Sequence, residues 1–497
     1  MATAPQSPKN LCQTGIEGLD DVLRGGLPRD RLYLFIGEPG VGKTTVALQF
    51  LLKGAALGEK SLYITLSETQ AELNEVAASH GWNLDPIEIF ELSALESQLN
   101  RSADTTFFSP SEVELNQATR ALLAEVERCK PTRVVFDSLS ELRLMSETAL
   151  RYRRQILHLK QFFAGRHCTV LMLDDGTADQ ASDDQVESLA HGVVLLTKTS
   201  PDYGVARRQL RIQKIRGVKF REGNHDVLME TGGVVVFPRL VAAEHHREFR
   251  RESISSGIPE LDCLLGGGID RGTSTIFMGP AGTGKSTLAM NFANRAAAGG
   301  NKALFFTFDE TLGTLVARTR ELGVPIDERR RDGMIRLQQI DPAEISPGEL
   351  AYRVREAVQK DDIRMVVIDS LNGYLHAMPD QRHLTLQLHE LLSFLNQQGV
   401  SSILILTQQG VMGSAMQAPV DLTYLADTVL MLRYFEISGT VRQAISVLKK
   451  RSGGHERTIR EFAITANGIE VGKPLKGLQG VLTGVPTMLA NPAKPEA

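Results

Sequence analysis

Two short segments of the sequence have the residue types and spacing of a phosphate-binding loop, GxxxxGK[ST]. They read GEPGVGKT at residues 37–44 and GPAGTGKS at residues 279–286, and each follows an apolar run and opens a helical pattern. Glycines let backbone N–H groups turn towards phosphate oxygens, and the helix N-terminus adds partial positive charge. Lys43 and Lys285 would then reach the β- and γ-phosphates of ATP. The residues predicted to contact the nucleotide are Gly37, Gly40, Val41, Gly42, Lys43, Thr44, Thr45, Gly279, Gly282, Thr283, Gly284, Lys285, Ser286 and Thr287.

A hydroxyl and a carboxylate in each half are predicted to hold Mg²⁺ beside the phosphates. The hydroxyl is the last residue of each P-loop, and the carboxylate ends an apolar run, RVVFDS in the first half and MVVIDS in the second. An aspartate at a strand end is also a common turn former, but its placement after the P-loop in both halves favours a Walker B role. The predicted metal residues are Thr44, Asp137, Ser286 and Asp369.

Carboxylates also follow the strand between the P-loop and the Walker B aspartate. These are Glu68 in ITLSETQ and the pair Asp309 and Glu310 in FTFDETL. A carboxylate facing the P-loop can orient or deprotonate the oxygen that attacks the γ-phosphate, so we predict catalytic roles for all three. The alternative is helix N-capping by Ser67 or Asp309. Because Ser67 stands where the second half has Asp309, the two sites should not be equivalent.

A basic strand lies near the end of each half, IQKIRG in the first and VLKKRSGG in the second. Alternating basic residues on a strand usually form a solvated face. The alternative is a set of arginine fingers that reach the γ-phosphate held by a neighbouring subunit, which requires a ring. The spacing leaves both interpretations open. The residues concerned are Lys214, Arg216, Lys449, Lys450 and Arg451.

An internal duplication explains why each motif occurs twice. The segment TGIEGLDDVLRGG, which begins at Thr14, returns as SGIPELDCLLGGG at Ser256, and Lys43 recurs as Lys285 at the same offset of 242 residues. In each half, short Val/Ile/Leu-rich runs alternate with helical patterns. This predicts an α/β fold of two tandem P-loop NTPase domains, each with a mostly parallel twisted sheet flanked by helices.

The domain boundaries are predicted from shifts in composition along the 497 residues, a length that exceeds what one core of at most ~300 residues usually needs. We expect an N-terminal tail at 1–13, a first ATPase domain at 14–241, a polar linker at 242–252, a second ATPase domain at 253–471 and a C-terminal tail at 472–497.

Composition excludes several classes of protein. With 42% hydrophobic and 23% charged residues, the chain has the balance of a globular protein rather than a fibrous or disordered one. A formal charge of −4 lacks the basic excess of a chain that mainly neutralises nucleic acid, so we expect no nucleic acid as partner. The four scattered cysteines form no CxxC pair, and no segment of ~20 apolar residues is present for a membrane span. We therefore expect reduced thiols and a cytoplasmic location.

The pattern resembles the KaiC family, circadian-clock ATPases and autokinases built from two fused RecA-like domains. The resemblance extends from about Thr14 to Pro486. It rests on the duplicated P-loops, the TGIxxLDxxLxGG entry to the first copy, the strand-end acids and the stretch ADTVLMLRYFEISGTVRQAISVLKKRSGGHERTIREFAI. This last stretch is more specific than a P-loop, because general RecA relatives do not share it at that length.

The resemblance implies a homohexameric double ring with ATP at the subunit interfaces, ATP hydrolysis in the first domain and serine/threonine autophosphorylation in the second. It implies that Glu68 and Glu310 are catalytic and that Asp309 assists in the second domain. It would make Lys214, Arg216, Lys449 and Arg451 nucleotide contacts across the interface. It also suggests a KaiB-like or other signalling protein as a partner, in clock-like or stress signalling.

The sequence departs from the family at the phosphoacceptor segment, QAPVDLTYLADTVL. The adjacent Ser and Thr of the family correspond to Thr423 and Tyr424 here, and a third family threonine falls at Ala418. We therefore predict modification at Thr423 alone. The chain could instead be a RecA- or helicase-like DNA motor, or a scaffold whose signalling partner reads its nucleotide state. The sequence does not separate these alternatives.

Overall fold

The computed structural model describes residues 10–92, 110–146, 148–176, 186–201, 204–376, 381–408, 410, 422–465, 468–483 and 486–488. The chain divides into two compact units, Met1–Arg239 and Leu240–Ala497. The finer boundaries given above stay predictions.

The first unit is built on a nine-stranded sheet in which the P-loop strand is central. The strand order is β11-β10-β9-β8-β3-β7-β6-β4-β5. All pairs from β8 to β5 are parallel, whereas β8 to β11 form an antiparallel meander. The strands are β3 (Leu32–Gly37), β4 (Ser61–Thr65), β5 (Glu88–Glu91), β6 (Arg133–Asp137), β7 (Thr169–Asp175), β8 (Gly192–Thr199), β9 (Arg207–Ile215), β10 (Asn224–Glu230) and β11 (Gly233–Phe237), and β1 (Leu11–Cys12) pairs separately with β2 (Leu27–Pro28).

Helices cover both faces of this sheet, because the parallel strands are apolar on both sides. All six residues of β3, LYLFIG, are buried. One core cluster packs α2 and α3 on one face, and a second packs the helices that follow on the other. The helices are α1 (Glu17–Val22), α2 (Lys43–Ala56), α3 (Gln70–Ser79), α4 (Pro110–Cys129), α5 (Leu139–Met145) and α6 (Ala149–Phe163).

The second unit repeats this architecture, with sheet order β16-β15-β17-β18-β14-β19-β20-β21-β22. Its strands are β14 (Ser274–Gly279), β15 (Lys302–Thr307), β16 (Ile335–Gln339), β17 (Ile363–Asp369), β18 (Ser401–Thr407), β19 (Thr428–Ile437), β20 (Thr440–Lys450), β21 (Arg460–Thr465) and β22 (Gly468–Pro474), and the short pairs are β12 (Ser253–Ile254) with β13 (Ile269–Asp270) and β23 (Leu478–Gln479) with β24 (Thr487–Met488). Its helices are α7 (Pro259–Leu265), α8 (Lys285–Ala298), α9 (Leu312–Glu321), α10 (Ile326–Arg331), α11 (Pro347–Lys360), α12 (Leu371–His376) and α13 (Gln381–Gln397). The predicted α/β fold with two mostly parallel sheets is confirmed.

The polar stretch after residue 241 packs on the second unit. The Ala242 N–H donates to the Glu390 carboxylate at 3.0 Å, and the Arg247 N–H donates to the Gln397 carbonyl at 3.1 Å. The His245 ring lies edge-on to Phe394, with 5.3 Å between ring centroids. This segment therefore forms part of the surface of α13.

Both sheets bring the predicted chemical residues to one edge. In the first unit β3, β7, β6 and β4 are consecutive and parallel, so their carboxyl ends lie side by side. In open α/β sheets, ligands bind at this edge, where neighbouring connections run in opposite directions.

Among the helices of the described residues, none has the length and apolar character needed to cross a membrane.

Candidate nucleotide sites

Each P-loop wraps its lysine at the start of a long helix. Lys43 Nζ donates to the Gly37 and Glu38 carbonyls at 2.6 and 3.1 Å, and Lys285 Nζ donates to the Gly279 and Pro280 carbonyls at 2.9 and 2.6 Å. Both lysine side chains are buried. The two ammonium groups are thus held at equivalent positions inside the loops.

The glycine before each lysine ends the loop in a conformation that favours glycine. Gly42 has φ 110° and Gly284 has φ 89°. No side chain caps the helix that follows, in contrast to α3 and α9, which are capped by Thr69 and Thr311. The first N–H groups of α2 and α8 are therefore available to an anion.

The remaining predicted P-loop residues divide by burial. Four of them have buried side chains. The hydroxyls of Thr44 and Ser286 instead contact the Walker B aspartates. The four buried residues are Val41, Thr45, Thr283 and Thr287.

The Walker B aspartates end β6 and β17 beside the P-loops. Thr44 Oγ1 donates to Asp137 Oδ2 at 3.3 Å, and the Ser286 hydroxyl hydrogen-bonds Asp369. Burial raises the pKa of both carboxyls, to about 6 for Asp369, where the charges of Glu310 and Asp309 add to the effect. A buried carboxylate beside a hydroxyl supplies the hard oxygen ligands that Mg²⁺ prefers, so these residues fit that ion.

The predicted catalytic glutamates lie in the same turn in both units. Thr65 Oγ1 donates to the Glu68 carbonyl and accepts from the Glu68 N–H, and Thr307 does the same with Glu310. The helices that follow are capped by threonines, so the alternative of capping by Ser67 or Asp309 is wrong. Neither Glu68 nor Glu310 caps a helix, and both lie at the edge of the sheet where the P-loop begins.

The two glutamates differ in their partners. Glu68 Oε2 is buried and has no hydrogen-bond partner among the described residues. Burial raises the pKa of Glu68, and the charges of Asp137, Glu72 and Asp175 raise it further. Such a carboxylate is a stronger base than an exposed one.

In the second unit, Glu310 Oε2 instead accepts from Arg318 Nη2 at 2.9 Å, while Asp309 Oδ2 accepts from Ser370 Oγ at 2.5 Å. Arg318 lies on α9, and the constant offset of 242 places Val76 at its position in the first unit. The predicted inequivalence therefore extends beyond Ser67. The sequence argument missed Arg318, because Glu310 lies in the turn before α9 and helical spacing does not relate the two residues.

A cavity of about 740 Å³ opens over the second P-loop, within the size range of small-molecule sites. Its walls include Lys285, Ser286, Asp309, Glu310, Arg318 and Asp369. The predicted metal, catalytic and P-loop residues of this unit therefore meet around one space.

The basic residues at the ends of β9 and β20 lie at the opposite edge of each sheet, where the parallel strands begin. Lys214 pairs with Val193 near the start of β8, and Lys450 pairs with Thr428, which is itself beside Thr275 at the start of β14. Because the P-loops follow the other ends of β3 and β14, these residues do not reach the nucleotide site of their own unit. Their side chains donate to carbonyl oxygens: Lys214 to Glu187, Arg216 to Ser188 at 2.7 Å, Lys449 to Thr423 and Ala426 at 2.9 and 2.8 Å, Lys450 to Leu265 and Gly268 at 2.6 and 3.2 Å, and Arg451 to Tyr424 at 2.9 Å.

The predicted phosphoacceptor lies at the same edge as the basic strand of the second unit. Thr423 is half-buried in a turn, and its neighbour Tyr424 is exposed. Ala418 lies outside the described residues. Thr423 is therefore next to Lys449 and Arg451, on the side of the sheet opposite its own P-loop.

The raised pKa of Asp369 predicts that this carboxylate lowers the free energy of unfolding of the metal-free protein, by an amount that grows with pH. A carboxyl whose pKa is about 6 in the folded state, against 3.8 unfolded, contributes stability below pH ~4 that is lost as pH rises through ~6. At about pH 7.5, Asp369→Asn should therefore stabilise the second unit by up to about 3 kcal/mol in EDTA, and by about half as much at about pH 5. Hydrogen exchange read by mass spectrometry measures the second unit separately, with the exposed Asp332→Asn as control. An equal effect at both pH values would contradict the prediction.

Two sites of this kind, each on a mixed nine-stranded sheet, define the chain as a tandem RecA-like P-loop NTPase. The comparisons with known proteins make this more specific. The family model for the KaiC ATPase matches residues 12–241 and 254–476. The chain belongs to the KaiC ATPase family.

The similar curated proteins extend over nearly the whole chain. The circadian clock oscillator protein KaiC of Parathermosynechococcus lividus is 26% identical over 484 residues, which cover 96% of this chain and 88% of that protein. The circadian clock protein KaiC3 of Synechocystis sp. is 26% identical over 483 residues, covering 96% and 95%. A KaiC from Prochlorococcus marinus is 26% identical over 485 residues, covering 96% of each chain.

Proposed function

We propose that this chain hydrolyses ATP at both P-loops and transfers a phosphoryl group to Thr423 within a homohexameric ring. The observation that carries the proposal is that each sheet has different functional groups at its two edges, where the parallel strands end and where they begin. The P-loop, the Walker B aspartate and the strand-end glutamate share one edge. The basic strand lies at the other, and in the second unit Thr423 lies beside it.

At the first edge, Lys43 and Lys285 bind the β- and γ-phosphates and neutralise the charge that develops on them. Glu68 or Glu310 orients a water whose oxygen attacks the γ-phosphorus, and the carboxylate takes the water proton. The bond from that phosphorus to the bridging oxygen of ADP breaks, so that the products are ADP and phosphate. In the second unit, Glu310 must leave Arg318 to act in this way.

Mg²⁺ bound at the hydroxyl–carboxylate pairs would neutralise phosphate charge during transfer. Thr44 with Asp137 would hold it in the first unit, and Ser286 with Asp369 in the second. The raised pKa of each aspartate indicates a buried carboxylate that gains from a nearby cation.

Transfer to Thr423 requires a second subunit. The Asp427 N–H donates to the Ser274 carbonyl at 2.9 Å, so the segment that carries Thr423 lies at the start of β14. The P-loop begins at the end of that strand, five residues and about 16 Å away. A heterologous contact in a ring joins two different surfaces of neighbouring subunits. A contact between opposite sheet edges would place Thr423, Lys449 and Arg451 over the next subunit's P-loop.

A mixing experiment tests this transfer between chains. Lys285→Ala protein lacks the second P-loop lysine but keeps Thr423, and Thr423→Ala protein has the reverse defect. Neither should gain phosphate alone with Mg·ATP, whereas in the mixture the Lys285→Ala chain should gain one phosphate, read by intact mass. Tyr424→Phe is the control, which should still be modified once. No phosphate in the mixture, despite hexamers by light scattering, would contradict transfer between chains.

In the cell, the ring would act in clock-like or stress signalling through a KaiB-like or other signalling protein. The support for the clock-like role is that the similar proteins are described as circadian clock proteins. Their identity of 26% is low, and the phosphoacceptor segment differs at Tyr424. A single phosphate per chain, rather than an ordered pair, is therefore the signal that we propose.

A further inference from the structure

A carboxylate that no motif indicated lies against the first P-loop. Asp175 is the last residue of β7 and pairs in register with Gly37, the first residue of the P-loop. Its Oδ1 lies 2.8 Å from Lys43 Nζ. The Asp175 side chain is 36% exposed, so it lines the mouth of the site, whereas Lys43 is 8% exposed.

Two hydrogen bonds hold Asp175 at this position. Ser140 Oγ donates to Asp175 Oδ2 at 3.0 Å, and the Asp175 N–H donates to Ser140 Oγ at 3.3 Å. The adjacent Asp174 is buried and accepts from Arg143 Nη2 at 2.6 Å. Ser140 and Arg143 both lie on α5, which follows the Walker B strand, so the Asp175 carboxylate is fixed relative to the metal and phosphate residues.

In the second unit a threonine stands in place of Asp175, so the hydrogen-bonded contact with the helix after the Walker B strand is kept but the negative charge is absent. Gly279 pairs with Thr407, and Thr407 exchanges two hydrogen bonds with Asn372, the counterpart of Ser140, at 2.9 and 3.0 Å. Lys285 therefore has carbonyl oxygens but no carboxylate within ion-pair distance among the described residues. Burial lowers the pKa of Lys285 to about 8.

We propose that Asp175 sets the nucleotide preference of the first unit, by opposing the γ-phosphate of ATP more strongly than it opposes ADP. The carboxylate competes with phosphate for the Lys43 ammonium, and its charge repels the additional charge of the triphosphate. The first unit consequently needs a higher ATP concentration than the second to fill. The inference rests on the proposed function only for nucleotide binding at the first P-loop.

The size of the effect follows from Coulomb's law. Like charges repel, and the partial exposure of the Asp175 side chain screens this repulsion, so we expect a modest factor. We expect removal of the charge to tighten ATP binding by about tenfold, equivalent to about 1.4 kcal/mol, and ADP binding by a smaller factor.

The experiment measures ATP and ADP dissociation constants by calorimetry in the Lys285→Ala chain, where the first site alone reports. Asp175→Asn keeps an oxygen for Ser140 and removes the charge, and Asp175→Thr introduces the residue of the second unit. Glu127→Gln removes one charge from an exposed site on α4 and serves as control. The reciprocal variant Thr407→Asp, in the Lys43→Ala chain, should weaken ATP binding more than ADP binding.

A rise in the preference for ATP over ADP in both Asp175 variants, but not in Glu127→Gln, supports the inference. An unchanged or reduced preference overturns it, as does a fall in ATP affinity. Failure of the Lys285→Ala chain and its variants to bind either nucleotide overturns it as well. Because the readout is binding, a chain that binds ATP without hydrolysing it would contradict the proposed function and leave this inference intact.

Discussion

Replacing Lys43 or Lys285 by alanine is expected to remove one of two ATP-binding sites per chain. Each ammonium is held inside its loop by two carbonyl oxygens, where it can donate to phosphate oxygens without further rearrangement of the backbone. Hydrogen bonds between charged groups contribute about 1.5–3 kcal/mol each, so losing two phosphate contacts should weaken binding at that site at least ~100-fold.

Calorimetric stoichiometry checks this prediction. We expect two sites in the unsubstituted chain, one in each single variant and none in the double variant. Lys53→Ala is a matched control, because Lys53 is on α2 ten residues, about 15 Å, beyond Lys43 and carries the same charge. Light scattering should show that the double variant no longer assembles with ATP. Retention of both sites in Lys43→Ala, or of hexamers without nucleotide in the double variant, would contradict the assignment.

The sequence predicted those parts of the site that depend on local pattern. Apolar runs followed by Gly-rich or acidic residues identify strand ends, and parallel strands present these ends at one edge. The P-loops, Asp137, Asp369 and the glutamates could be placed for this reason. The duplication added independent support, since each motif recurred in the same context.

The residues that the sequence argument missed depend on contacts between elements that are distant along the chain. Asp175 meets Lys43 because β7 is next to β3, although 131 residues separate them in sequence. The Tyr63 hydroxyl donates to Asp137 Oδ2 at 2.5 Å for a similar reason, since β4 lies beside β6. Strand order in an open sheet cannot be obtained from hydrophobic periodicity alone. The run TVLMLDD nevertheless ends in acids, as RVVFDS does, and the same reasoning could have marked it.

The basic strands illustrate a different limit. Spacing alone left both interpretations open, a solvated face and a finger that reaches a neighbouring subunit. The sheet register excludes contact with the nucleotide site of the same unit. Lys214 and Lys450 lie at the ends of β9 and β20 beside the starts of β8 and β19, which run parallel to the P-loop strands, so the P-loops lie at the far ends. Only assembly can bring such residues to a nucleotide, so the mixing experiment addresses what one chain cannot show.

Replacing Glu68 or Glu310 by glutamine is expected to lower the rate of ATP hydrolysis while leaving the affinity for ATP nearly unchanged. Glu68 has a buried oxygen without a partner among the described residues and a raised pKa, as expected of a base awaiting a water. Glu68→Gln, measured in the Lys285→Ala chain, should lower ATP hydrolysis by about 10²–10⁴-fold, because the amide cannot take a proton. ATP affinity should remain within about threefold, since Glu68 contacts no P-loop residue by a hydrogen bond.

Glu310→Gln should have the same effect in the second unit and should also abolish phosphate on Thr423, because hydrolysis and transfer need the same base. Glu75→Gln, on the exposed side of α3, is the matched control for Glu68. Because Arg318 pairs with Glu310, we expect the second unit to hydrolyse ATP more slowly than it would without this ion pair. Arg318→Val, which introduces the residue of the first unit, frees Glu310 and should raise its hydrolysis rate. If Glu310→Gln kept its phosphate while Glu68→Gln lost hydrolysis, Glu310 would not be the base in the second unit, and Asp309, the other carboxylate there, would take that role.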